Sequence, residues 1–169
     1  MLNRFNNVGA GRIDGTAPYW RLSYFKDMKK ESFHFGVFGM NVDLQPGYLK
    51  GGPTDNYRDI GIDGSYQFLG TREHVFAVNG AFIHEKRTLN SSSPDNLKGN
   101  LNRYDVNASY HYNNTYGFTA GLFGINGSRN EALYNTSAPD FGSINASPNT
   151  KGYMLQADFT PWGKEDSWL

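Results

Sequence analysis

Arg103-Tyr104-Asp105-Val106-Asn107-Ala108-Ser109-Tyr110-His111-Tyr112 alternates polar and apolar residues without a break. Successive side chains of a strand point to opposite faces. Tyr104, Val106, Ala108, Tyr110 and Tyr112 therefore share one face, and Arg103, Asp105, Asn107, Ser109 and His111 share the other. A helix would scatter both sets around its axis. Extended to 101–113, the stretch outruns the about 5 or 6 residues usual for strands of soluble proteins. It meets the about 9 to 11 that a tilted membrane strand needs.

The pattern recurs on both sides of this stretch. Ile60, Ile62, Tyr66 and Phe68 oppose Asp59, Asp63, Ser65 and Gln67, and Tyr153, Leu155, Ala157 and Phe159 oppose Met154, Gln156, Asp158 and Thr160. Trp20, Leu22 and Tyr24 oppose Arg21 and Ser23 in a shorter version. The reading predicts seven strands: 17–27, 32–42, 57–69, 73–86, 101–113, 115–126 and 151–162. In 32–42, 73–86 and 115–126 the alternation is less clean. There Phe38, Met40, Ile83, Phe123 and Ile125 fall on the polar side, where they are expected to pack against something inside the fold.

Connection lengths alternate. Short turns are expected near Asp27–Glu31, at Leu69-Gly70-Thr71-Arg72 and at Asn113-Asn114, and long polar loops over 43–56, 87–100 and 127–150. Short turns on one side and long loops on the other characterise outer-membrane barrels, with the short side periplasmic. The fold class expected is all-β: an antiparallel up-and-down meander of seven long strands, part of a transmembrane β-barrel in a bacterial outer membrane. Residues 17–162 form the barrel segment. Residues 1–16 read as a tail or the remnant of an outer loop, and 163–169 as a truncated periplasmic turn. Bacterial single-chain barrels use even strand numbers from 8 upward, so seven strands predict an incomplete barrel with two unpaired edges.

Composition agrees with this class. The 169 residues are 15% aromatic, with 20 glycines, yet polar on average. A disordered chain would be poor in aromatics. Lys+Arg and Asp+Glu both number 16, so no net charge draws nucleic acid. Zero cysteines exclude disulfides, thiolate catalysis and covalent haem attachment in these residues. No apolar run reaches the roughly 20 residues of a membrane helix, and residues 1–7 contain no signal-peptide core.

Two sets of residues follow as functional candidates. Arg21, Asp59, Asp63, Glu85, Arg103, Asp105 and Asp158 fall on the polar face, where they would line a wet pore or brace the wall as crossed ion pairs. Trp20, Tyr24, Phe68, Phe82, Tyr104, Tyr112, Tyr116, Tyr153 and Phe159 would lie at the lipid boundaries, which amphipathic rings favour. Tyr24, Phe68, Tyr112, Tyr116 and Phe159 belong to the periplasmic side, and Trp20, Phe82, Tyr104 and Tyr153 to the outer side.

The order of landmarks resembles a bacterial outer-membrane porin-like family often labelled cytochrome c. The resemblance rests on Ala17-Pro18-Tyr19-Trp20-Arg21, Gly52-Pro53-Thr54-Asp55, Asp59-Ile60-Gly61-Ile62-Asp63, His84-Glu85 and Pro161-Trp162. It implies a long barrel preceded by a haem-binding segment. The Cys-x-x-Cys-His of that segment is absent from these residues, so only the barrel carries over.

Other motifs have plainer readings. Asp59–Gly64 departs from a calcium loop, because the twelfth position is Gly70 where a Glu is needed. His34, His74, His84 and His111 lie on different strands without metal-ligand spacing. No nucleophile motif accompanies His84 or His111 as a base. The Asn-x-Ser/Thr sequons at Asn90, Asn107, Asn113 and Asn126 follow from an Asn- and Ser-rich composition. No metal, no cofactor and no enzymatic chemistry are expected. The function expected is a passive channel for small polar solutes or ions. The alternatives are the sheath of a porin–cytochrome electron-transfer protein, a soluble β-sandwich or lipocalin-like binding module, and an outer-membrane hydrolase. The partners expected are outer-membrane lipid, further strands of the same barrel and a haem-bearing segment or cytochrome.

Overall fold

In the computed structural model, which describes residues 11–46, 51–70, 73–134 and 145–163, the alternating stretches become strands of one antiparallel sheet. The seven long strands are β2 (Tyr19–Met28), β3 (Glu31–Gln45), β4 (Asp55–Phe68), β5 (His74–Leu89), β6 (Lys98–Tyr112), β7 (Tyr116–Gly127) and β8 (Thr150–Phe159). An eighth, β1 (Arg12–Ile13), has two residues. The order is a meander from β3 to β8, and β1 and β2 both pair with β3. No helix occurs among the described residues.

β1 falls in the stretch expected as a tail, of which residues 1–10 lie outside the described residues. It pairs because β3 continues to Gln45, past the expected end at 42, and offers Leu44 and Gln45 as partners. The Asp14 N–H also donates to the Asp43 carbonyl at 2.8 Å. Gly15, at φ +78°, and Pro18 then interrupt the run before β2 begins. β1 and β2 are thus one edge strand with a break. β5 and β6 likewise outrun their expected ends, because a backbone ladder persists after the apolar side chains stop. β8 ends early, at Phe159. Pro161 has no N–H to extend the ladder, and Gly163 N–H closes a turn on the Thr160 carbonyl at 3.1 Å. Of the expected turn over 163–169, only Gly163 is described.

The tight turns between β2 and β3 and between β6 and β7 lie where expected, and Thr71 and Arg72 of the third expected turn lie outside the described residues. Asn113 and Asn114 take φ of 52° and 53°, and Thr115 N–H donates to the Tyr112 carbonyl at 3.0 Å. Positive φ at both central residues suits the right-handed twist of a hairpin, and asparagine tolerates it better than most residues.

The sheet is a single layer. No strand's backbone packs against any other than that of its hydrogen-bonded neighbours, so neither face is covered by a second sheet or a helix among the described residues. Leu22, Tyr153 and Leu155 are 73%, 74% and 64% exposed. The sheet is also open: β2 pairs only with β3, and β8 only with β7.

Apart from the mid-sheet glycines Gly36, Gly39, Gly61 and Gly124, what is buried lies at the end carrying the long connections. Val42, Leu89 and Ala146 are buried there beside the polar Gln45, Asp55, Ser93, Asn130 and Ser147. Buried polar groups need partners, and these have them. Asp55 accepts from Ser91 N–H at 2.7 Å, Ser92 N–H at 3.1 Å and the Ser92 hydroxyl. The Asn130 Oδ1 accepts from the N–H groups of Ala132 and Leu133, both at 3.1 Å, and its Nδ2 donates to Ser93 Oγ at 3.1 Å. The described flanks of two long connections are therefore tied to each other.

Candidate functional site

Directly paired residues share a face, so the register sorts every strand residue. All seven charged candidates share one face: Arg21 on β2, Asp59 and Asp63 on β4, Glu85 on β5, Arg103 and Asp105 on β6, and Asp158 on β8. All nine aromatic candidates share the other: Trp20 and Tyr24 on β2, Phe68 on β4, Phe82 on β5, Tyr104 and Tyr112 on β6, Tyr116 on β7, and Tyr153 and Phe159 on β8. Tyr116 and Phe159 stack at 5.4 Å at the end of the tight turns.

On the polar face the structure brings some candidates together. Arg21 Nη2 donates to Asp63 Oδ2 at 2.6 Å. The two belong to β2 and β4, and the bridge crosses β3 at Gly36, the cross-strand partner of Asp63. A Cβ at Gly36 would collide with Asp63 Oδ1 and come within 2.8 Å of Arg21 Nη2. Arg21 Nε also donates to Ser23 Oγ at 3.0 Å, and its guanidinium lies 5.5 Å from the centre of the Phe38 ring. Asp59 and Glu85 are directly opposed across β4 and β5. Glu85 faces Arg87 at 3.6 Å, whereas Asp59 Oδ1 has no hydrogen-bond partner among the described residues. Arg103 and Asp105 stand 4.0 Å apart and open to solvent, and Asp158 accepts from Gln156 at 2.8 Å. These pairs are spread over the face. They do not converge on one point, and no group of three His, Asp or Glu is placed to hold a metal among the described residues.

Phe38, Met40, Ile83, Phe123 and Ile125 do lie on the polar face. Phe38 and Phe123 find their neighbours within the sheet, lying over Gly61 and Gly152 of the adjacent strands. On the apolar face Trp20 and Tyr104 lie over Gly39 and Gly124 in the same way. A glycine opposite a large ring leaves room for the ring to fold down onto bare backbone.

Apolar residues form a band across the other face. On β4 and β6 it runs Ile60–Phe68 and Tyr104–Tyr112, and on β8 Tyr153–Phe159. The band is oblique to the register. The row Leu22, Val37, Ile62, Phe82, Tyr104, Gly124 ends in Lys151, while the row Leu155, Ala120, Ala108, Val78, Tyr66, Phe33 ends in Lys26. Its upper edge moves from Trp20 to the row of Tyr24 and Tyr153, about four residues or 13 Å, over six strand steps or about 29 Å. That is a slant of about 25°.

Sequence reading missed three features. Arg87 is nearly buried at the long-connection end, its guanidinium 5.6 Å from the Tyr134 ring. The tie between Asp55 and Ser91–Ser92 left no local signal, because its partners stand at the far ends of the β4–β5 hairpin, two strands and a tight turn apart. Arg58 and Lys86 on the apolar face were legible by parity, two residues beyond Ile60 and His84.

No family model matches the chain, and no curated protein or solved structure matches it either. The resemblance to the haem-bearing porin-like family rests on the short motifs quoted above.

Proposed function

We propose that these strands are part of the wall of an outer-membrane β-barrel, a passive channel for small polar solutes or ions, with the apolar face in lipid and the polar face toward the lumen. The observation that carries this reading is the oblique apolar band on an uncovered single-layer sheet. In water nothing would offset the cost of so much exposed apolar area. A lipid bilayer removes that cost. From Tyr104 to Tyr112 the band runs about 27 Å along β6. At the 35–45° tilt of barrel strands it stands about 19–22 Å tall, near the ~25 Å apolar belt of such barrels. Tilted strands must also cross a level membrane obliquely, and the slant is of that kind. The strands overshoot the band chiefly at the long-connection end, as they do where barrels project outward; at the tight-turn end β2 and β3 pass it by Lys26–Met28 and Glu31.

Channel chemistry follows from the polar face. Its strand residues include the acids Asp27, Asp55, Asp59, Asp63, Glu85, Asp105 and Asp158 against three arginines, Arg21, Arg87 and Arg103. Such a lumen favours cations over anions.

The test uses neighbouring positions on opposite faces. Leu155→Arg and Tyr110→Arg are expected to cost about 2–4 kcal/mol of bilayer stability near the midplane, whereas Gln156→Arg and Asn107→Arg insert nearly as the parent does. Vesicle-insertion assays of the full protein read this. Equal behaviour of the two pairs would refute the face assignment.

A further inference from the structure

The two faces differ in the sign of their charge as well as in polarity. On the apolar face, the charged residues next beyond the band at the long-connection end are Arg58 on β4, Lys86 on β5, Lys98 on β6 and Lys151 on β8. All four are exposed. Arg58 and Lys86 are cross-strand partners, and like charges set directly opposite one another repel. Lys98 is opposite Thr88 and so diagonal to Lys86. Lys151 sits in a lower row, but the band has dropped there too, and Lys151 stands two residues beyond Tyr153, the band's last aromatic on β8.

None of the four has an acidic partner among the described residues. Arg58 Nε donates to the neutral Asn56 Oδ1 at 3.1 Å. Asp43, an acid on this face at this end, accepts instead from Asn56 Nδ2 at 2.7 Å. Arg12, a fifth cation at this end, lies near Asp14 at 3.6 Å. At the tight-turn end the same face carries Lys26 and Glu31, one of each sign.

We propose that Arg58, Lys86, Lys98 and Lys151 bind the phosphates of anionic lipid headgroups in the leaflet that meets the long-connection end. This rests on the membrane reading above. Cations that follow an apolar band and point the same way as its side chains face headgroups. The repulsion between Arg58 and Lys86 is relieved when a phosphate lies between them, and guanidinium and ammonium groups both bind phosphate through charge-assisted hydrogen bonds.

The experiment folds the full protein into phosphatidylcholine vesicles with and without phosphatidylglycerol and measures inserted yield. The expected result is severalfold greater insertion into the anionic vesicles. Arg58→Gln/Lys86→Gln should lose that increment while inserting unchanged into pure phosphatidylcholine. Lys98→Gln/Lys151→Gln should lose part of it as a second variant with a different folding risk. Lys26→Gln, at the other end, should keep it. Inorganic phosphate should weaken the preference no more than chloride at equal ionic strength. Both double variants retaining the preference would overturn the proposal, as would phosphate abolishing it outright, which would assign the strip to a soluble anion. A protein that enters no vesicle at all would overturn the membrane reading itself and this proposal with it, whereas insertion indifferent to headgroup charge would overturn the proposal alone.

Discussion

At Gly36 the absence of a side chain holds two charges together. The Arg21–Asp63 bridge passes over this one position of β3, and any Cβ there would push the partners apart. Gly36→Ala is therefore expected to lower the melting temperature, and Asp63→Asn should add little on top of it, because the bridge is already lost. Additive shifts from the two substitutions would show that Gly36 acts on something else. The same logic runs through the aromatic residues. Trp20, Phe38, Tyr104 and Phe123 each lie over a glycine on the next strand, so ring and glycine form a unit whose halves are 19 to 29 positions apart in the sequence. Local alternation places each ring on its face, but nothing local says that Phe38 and Phe123 lie flat against the sheet.

Among the elements, the 113–115 turn is the most exacting, since two consecutive residues take positive φ. A left-handed backbone costs an ordinary side chain roughly 1–2 kcal/mol, and a β-branched one has least room for it. Asn113→Val is expected to destabilise the β6–β7 hairpin by about that much, with Asn113→Gly neutral or better. Denaturant unfolding measures both, and equal stability of the two variants would contradict the turn geometry. Such turns were legible because Asn-Asn between alternating stretches has a known backbone consequence. The seven long strands were legible for a related reason: period two is a local signal. Their ends were less so. Asp43 and Gln45 look like loop by composition, yet they extend β3, because pairing with β1 and β4 recruits them. The candidate residues on each face could be sorted by parity alone. Which of them meet across a strand, as Arg21 and Asp63 do, depended on register, and register is set by turns and pairing over long separations.

On the scale of the whole molecule, two edges remain. β2 and β8 both run from the long-connection end to the tight-turn end, so joining them directly would make a parallel seam. An antiparallel closure takes an odd number of further strands between them. On the membrane reading proposed above, unpaired backbone groups would cost several kcal/mol each in lipid, so residues 1–169 made alone are expected to form β-rich oligomers or aggregates in detergent. A compact, heat-modifiable monomer on size-exclusion chromatography would contradict this. The two edges are not equivalent, however. β8 offers ten uninterrupted residues, while the other edge is broken between Ile13 and Tyr19, where the five residues Asp14–Pro18 stand against three of β3. A newcomer aligning with β2 from the tight-turn end can zip upward only as far as Tyr19 before the template bends away. On the barrel reading the break would act as a stop on a ruler: a strand completing this side would be told its register by where it must halt.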